Sequence, residues 1–300
     1  MVSKLPDSVD INNLLDDLRS CCWDASDILL NYSQKIKNEQ YKSNFVKLKK
    51  NNEPVTLADL DVNSLIVNHI QAKYSDVNWQ ILSEESIKTE LNTYKKTNWL
   101  WILDPLDGTK DFVQGTGHFA VHLALNYKNK PFMGIVLIPS KNELWISNGK
   151  NVWCENKKGF KKLPDMSNSK ELSDMTVITS KNHNNRLLQK IIEKIDFKKS
   201  MCMGSIGCKI ASILRGEADI YISLSLPGQS APKDWDFAAP EVIFTQAGGA
   251  ITNLDNKDLV YGKPDMRQEG LIIASNNKIN HEKICLEIKK IIQDNNFLKL

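Results

Sequence analysis

The chain has 300 residues, 41% hydrophobic and 25% charged, a balance that excludes a disordered chain, a collagen-like repeat and a disulfide-dense miniprotein. Its 39 basic and 36 acidic residues leave a formal net charge of +3, too little for the electrostatic grip of a nucleic-acid binder. The first residues carry no apolar signal core and nowhere do about eighteen apolar residues run together, so a cytoplasmic protein without stable membrane insertion is expected. The six cysteines, Cys21, Cys22, Cys154, Cys202, Cys208 and Cys285, lack the spacing of a metal site and read as free thiols.

In chain order, Ile11, Leu14, Leu15, Leu18, Cys22, Ala25, Ile28 and Leu29 recur at helical spacing and predict an amphipathic first helix. A lysine- and asparagine-rich stretch over 35–52 reads as a solvated, mobile arm, with closure of its charges over an anionic ligand as the alternative. After it, Leu57, Leu60, Leu65, Ile66 and Ile70 predict a second helix with Thr56 as its N-cap. Short strands are expected at 79–82, 99–103, 119–127, 132–138, 143–147 and 152–154, joined by turns into a largely antiparallel sheet. From about residue 174 strand and helix alternate: strand 175–179, helices 186–195 and 206–214, strand 219–222, helix 237–246, strand 271–274 and helix 281–292. That change of rhythm divides the chain into an α+β amino-terminal region, 1–174, and an α/β carboxy-terminal region, 175–300, with a second layered sheet.

The chemistry concentrates in Trp99-Leu-Trp-Ile-Leu-Asp104-Pro105-Leu106-Asp107-Gly108-Thr109-Lys110-Asp111-Phe112, an apolar strand that ends in two aspartates three apart. Pro105 pushes Asp104 toward extended geometry and Asp107-Gly108 is a turn signal, so both carboxylates can aim at one point with the Leu106 carbonyl between them. The amides of Gly108, Thr109 and Lys110 follow where a phosphate oxygen can be held. A plain turn with an N-cap is the competing reading. Ser83-Glu84-Glu85 puts carboxylates at another strand's end, and Lys233-Asp234-Trp235-Asp236 places Asp236 at a helix entrance, with Pro240 expected in a first turn. Taken singly, these acids also suit a solvated surface and a helix cap. Together they make an all-carboxylate set of hard oxygen donors suited to magnesium, two ions of which can clamp an in-line phosphoryl displacement.

Asp104-Pro-Leu-Asp107-Gly-Thr109, with Phe112, followed by Trp235-Asp236-Phe-Ala-Ala-Pro240-Glu241 through Gly248-Gly249, resembles the paired signatures of the inositol monophosphatase superfamily of magnesium-dependent phosphatases. Val55-Thr56-Leu-Ala58-Asp59 and Ser83-Glu84-Glu85 match two further elements of that family, whereas the lysine-rich stretch and residues 156–174 match none. Lys110 after the threonine, Gly204-Ser-Ile-Gly-Cys-Lys209 and Arg215-Gly-Glu-Ala-Asp219 are similar to the 3′(2′),5′-bisphosphate nucleotidase branch. Gln114 and Ser83 depart from the usual residues without touching a ligand position.

The resemblance implies a layered αβαβα sandwich of the α/β class and a small phosphomonoester substrate. It implies two or three magnesium ions on Glu84, Asp104, the Leu106 carbonyl, Asp107 and Asp236, and a water-activating pair, Asp59 and Thr109. For the substrate it implies Gly108, Thr109, Lys110, Asp236, Ser180, His183, Ser205 and Lys209, although Lys209 also reads as a solvated helix lysine and His183 as a loop residue or cap. The expected reaction is removal of the 3′-phosphate of adenosine 3′,5′-bisphosphate by a monomer or homodimer, with an inositol or sugar phosphatase as the alternative. A metal-binding protein without turnover is the non-enzymatic alternative, but it would have no use for the Asp59–Thr109 relay.

Overall fold

The computed structural model describes residues 5–6, 9–37, 45–48, 54–86, 97–166, 170–181 and 185–297. Helix α1 (Ile11–Ile36) starts at Asp10, whose carboxylate accepts from the amides of Asn12 and Asn13 at 3.0 and 2.9 Å, and buries the stripe Leu14, Leu18, Cys22, Ala25 and Leu29. It runs further than its apolar stripe predicts. Part of the stretch expected to be a solvated arm is a strand instead, because β1 (Val46–Leu48) pairs antiparallel with β2 (Pro54–Thr56). Phe45 anchors it by packing edge-on against Tyr32 with ring centres 5.6 Å apart. Residues 38–44 and 49–52 of that stretch lie outside the described residues.

Thr56 caps α2 (Leu57–Lys73) as expected. The large sheet then comprises β3 (Gln80–Ser83), β4 (Trp99–Asp107), β5 (Ala120–Tyr127), β6 (Lys130–Ile138), β7 (Glu143–Ser147), β8 (Val152–Glu155) and β9 (Lys161–Lys162), ordered as in the chain, with α3 (Thr109–Gln114) between β4 and β5. Only β3 and β4 run parallel. Trp101 and Leu103 point to one face, where α1 and α2 cover them; Ile102 points to the other. Burial on both faces explains why β4 reads as a continuous apolar run.

The second sheet has the order β11-β10-β12-β14-β13, from β10 (Thr176–Ser180), β11 (Lys199–Met203), β12 (Ile220–Ser225), β13 (Ala250–Asn253) and β14 (Gly270–Ser275). The pattern misses β9, β11 and β13, which are short or largely polar and owe their form to pairing with a neighbour. Helices α4 (Arg186–Ile195) and α7 (His281–Asp294) cover its outer face, while α5 (Ile206–Leu214) and α6 (Asp234–Gln246) fill the layer between the sheets. The architecture is therefore the expected αβαβα sandwich. Helix α6 begins before the residue expected, so Pro240 stands inside it rather than in its first turn. An interior proline loses a hydrogen bond and costs ~3 kcal/mol. Burial of Trp235, Phe237, Ala238, Ala239, Ile243 and Phe244 between the sheets outweighs that loss.

Candidate active site

The end of β4 and the starts of α5 and α6 converge where the two sheets face each other. Asp104 still pairs with His122 of β5 and Asp107 with Ala120, so Pro105 and Leu106 bulge out between them. The Leu106 amide turns back to donate to Asp104 Oδ1 at 3.0 Å. Gly108 follows at φ +87°, where a Cβ would stand 2.7 Å from the His118 carbonyl oxygen; only glycine lets the chain turn there into α3.

Carboxylate oxygens of Asp104, Asp107 and Asp236, one from each, lie within 4.8 Å of one another. Each acid is anchored by backbone N–H groups. Asp107 Oδ2 accepts from the amides of Ile206 and Gly207 at 2.5 and 3.2 Å and from Ser205 Oγ at 2.6 Å, so it closes the N-terminus of α5. Asp236 Oδ2 accepts from the Lys233 amide at 2.5 Å, the capping-box bond of α6. Asp59 uses the same device on α2, its Oδ2 accepting from the Thr56 amide at 2.7 Å and the Thr56 hydroxyl at 2.6 Å. Its other oxygen, Oδ1, lies 3.3 Å from Thr109 Oγ1, which is also 3.0 Å from the Leu106 carbonyl. Glu84 closes β3 onto β4, its amide donating to the Leu103 carbonyl at 3.1 Å.

Burial holds the Asp104 carboxyl well above its ordinary range, and the charges of Glu84, Asp107 and Asp236 push it further. Asp236 is raised by burial and then by Asp107. Burial lifts Asp59 to about 7 against the lowering effect of its Thr56 hydrogen bonds, with Glu84 and Glu85 adding to the rise. Among the described residues no lysine or arginine forms an ion pair with Asp104, Asp107 or Asp236; the nearest basic group is the buried imidazole of His122, its Nε2 3.2 Å from Asp107 Oδ2. Three mutually repelling carboxylates with only oxygen donors fit a hard divalent cation.

The substrate-side residues are placed less uniformly. Lys209 is wholly buried, which rules out the solvated-lysine reading: its Nζ donates to the Gly204 carbonyl at 2.7 Å, the Met203 carbonyl at 3.3 Å and Ser180 Oγ at 3.1 Å, and lies 5.3 Å from the Tyr221 ring centre. Burial lowers it to about 8 although the nearby aspartates pull the other way. Ser205 is the N-cap of α5, with its hydroxyl committed to Asp107 and to the Cys208 amide. Lys110 is exposed in α3. His183 lies outside the described residues.

Two residues beside the site are assigned no role from the sequence alone. His122 is an ordinary interior residue of β5 until the fold brings it to Asp107. Asp111 is fully buried, takes a 2.7 Å hydrogen bond from Thr116 Oγ1 and fills the space beside Gly204, where a Cβ would stand 2.0 Å from its Oδ2. Its place in the Asp107-to-Phe112 run was the only available hint.

A layered αβαβα sandwich with a carboxylate cluster where its two sheets face each other is the frame in which the chain's relatives are compared. The profile of the Inositol monophosphatase family matches residues 12–293, and the chain belongs to that family: it is a phosphatase acting on small phosphate esters. It is 30% identical to the 3′(2′),5′-bisphosphate nucleotidase CysQ of Buchnera aphidicola over 229 residues, covering 76% of this chain and 79% of that protein. It is 28% identical to the 3′(2′),5′-bisphosphate nucleotidase of Dictyostelium discoideum over 301 aligned positions, covering 82% and 88%. In fold it is similar to the Thermotoga maritima inositol monophosphatase (TM-score 0.70, 21% identity, 94% and 99% covered) and to an inositol monophosphatase of Zymomonas mobilis (TM-score 0.71, 19% identity, 94% and 99% covered). No helix among the described residues is long and apolar enough to cross a membrane.

Proposed function

We propose that the protein is a magnesium-dependent 3′(2′),5′-bisphosphate nucleotidase that converts adenosine 3′,5′-bisphosphate and water to AMP and phosphate. The observation that carries the reading is the Asp104–Asp107–Asp236 cluster beside the Asp59–Thr109 pair, in a chain whose curated relatives are named for this activity. Glu84, Asp104, the Leu106 carbonyl, Asp107 and Asp236 would hold two or three magnesium ions, which when bound neutralise the phosphate dianion and acidify water. Thr109 is too weak an acid to serve as a base. Its hydroxyl donates to Asp59 and so turns a lone pair toward a water; the water's proton passes through that hydroxyl to Asp59 as the water oxygen attacks phosphorus. The bond from phosphorus to the 3′ oxygen breaks, the leaving oxygen takes a proton from solvent water, and Asp59 returns its proton to solvent, so that one water is consumed overall.

Gly108, Thr109 and Lys110 face the scissile phosphate in this reading, with Asp236 at its edge. Lys209 donates to Ser180 Oγ and so fixes the Ser180 hydroxyl at the edge of the site. Ser180, His183, Ser205 and Lys209 border the nucleoside. A cytoplasmic location, a monomer or homodimer, and inhibition by lithium belong to the same proposal.

The test is phosphate release from adenosine 3′,5′-bisphosphate, inositol 1-phosphate and fructose 1,6-bisphosphate, with magnesium and with chelator. Preference for the nucleotide and loss of turnover on chelation are expected. Preference for inositol or sugar phosphate would move the substrate and leave the phosphatase standing, whereas full turnover without divalent ions would remove the metal-dependent mechanism.

A further inference from the structure

The segment 156–163, Asn-Lys-Lys-Gly-Phe-Lys-Lys-Leu, matches no element of the family resemblance and takes no part in the candidate site. It forms the tip between β8 and the edge strand β9, and it holds four lysines and no acid. Phe160 and Leu163, on either side of β9, are 71% and 76% exposed. Most large apolar side chains of the chain are buried, and a soluble surface gains nothing from two of them placed among lysines.

The charges at the tip divide into two kinds. Lys157 is closed onto Asp27 of α1 at 2.5 Å, and Lys162 onto the buried Glu143 at 2.7 Å. Lys158 makes no ion pair among the described residues, and Lys161 lies over the Trp153 ring, 5.2 Å from its centre, with its ammonium in water. Two of the tip's four lysines, each about half exposed, therefore have a countercharge within the protein, while Lys158 and Lys161 form no ion pair among the described residues. Beside them lies a cavity of about 250 Å³ whose wall includes Lys141, Asn142, Glu143, Glu155, Phe160 and Lys161; Phe160 contributes to that wall and is still 71% exposed, whereas Leu163 does not line it.

We propose that this tip is a peripheral docking element for an anionic lipid surface. Phe160 and Leu163 enter the interfacial layer, while Lys158 and Lys161 remain at the level of the acidic headgroups. A lipid surface suits this pattern because it offers apolar volume and negative charge together and asks for no shape complementarity. The tip stands at the same end of the large sheet as Asp104 and Asp107 but four strands away, roughly 19 Å at the usual strand spacing.

The test is co-sedimentation of the intact protein with vesicles of phosphatidylcholine alone and of phosphatidylcholine with 30% phosphatidylserine. The wild type is expected to bind the anionic vesicles at least fivefold more tightly than the neutral ones. Phe160→Ser with Leu163→Ser, and separately Lys158→Glu with Lys161→Glu, are each expected to weaken binding at least fivefold while turnover and circular dichroism stay unchanged. Equal affinity for neutral vesicles, no loss in the serine variant, or equally tight binding to soluble poly-glutamate or to RNA would overturn the proposal. The last result would mark the tip as a contact for an acidic macromolecule.

Discussion

Two groups of buried carboxylates at the top of the large sheet have opposite designs. Glu155, on β8, meets Arg19 and accepts from Trp153 Nε1 at 3.0 Å; Glu143, on β7, meets Arg215 at 2.8 Å, Lys162 at 2.7 Å and Trp145 Nε1 at 3.1 Å. Asp104 and Asp107 are buried on the same sheet, yet face each other and the half-buried Asp236 of α6. The first group has its countercharges built in and ties α1 and α5 to the sheet. The second is anchored by backbone N–H groups that fix geometry without cancelling charge, which stores the affinity for a cation as repulsion in the protein. An acid cluster costs stability unless something binds there, so its lack of a cationic partner is itself the functional sign.

The largest expected effect comes from breaking the unpaired group. Asp104→Asn should lower turnover about 10³-fold, several kcal/mol of lost charge stabilisation, while raising the midpoint of thermal unfolding in chelator by about 2 °C as repulsion is relieved. Kinetics and calorimetry on one preparation check both signs, and a fall in both would mean that the residue is structural. Next, Thr109→Ala should cost about 10²-fold in kcat with little change in KM, and Thr109→Ser should recover most of it, because the proposed role needs a hydroxyl and not a methyl. An equal loss in both variants would assign Thr109 to packing.

Breaking the paired group should do the reverse. Arg19→Leu strands Glu155, whose side chain is 1% exposed, and should destabilise the fold by about 2 kcal/mol in a urea titration with turnover unchanged. The smallest effect sharpens the comparison through pH. Asp59 keeps its proton up to about 7 in the folded chain but only to about 4 unfolded, so between these values the folded state binds more protons and stability in chelator falls as pH rises, by up to about 1.4 kcal/mol per unit. His281 has the opposite sign. Burial lowers it to about 4, with Ser275 Oγ 2.7 Å from Nδ1 and Thr252 Oγ1 2.8 Å from Nε2, so its contribution is fully present above about 6.5 and is lost as pH falls toward 4. Unfolding free energies at pH 4.5, 5.5 and 6.5 should show Asp59→Asn removing a downward slope and His281→Gln removing an upward one.

Local pattern was enough to establish much of this protein. The stripe of α1, the Thr56 cap of α2, the apolar run of β4 and the alternation after residue 174 carry their periods in their own residues, because each element buries a face whose spacing is set by its backbone. The Asp104-to-Thr109 turn was legible for the same reason: proline and glycine restrict the backbone around two acids, and the acids lie close in the chain. What the tertiary structure decided depends on residues far apart. Asp236 reaches Asp104 only because α6 packs between the sheets, and the burial there lets Pro240 sit inside a helix. Asp107 closes α5 nearly a hundred residues further on, and Lys209 is a buried donor to Ser180 rather than a solvated lysine because the strands that cover it come from separate parts of the chain. Burial, charge pairing and the short strands β9, β11 and β13 are properties of the partner as much as of the segment, and a sequence read in order does not contain its partners.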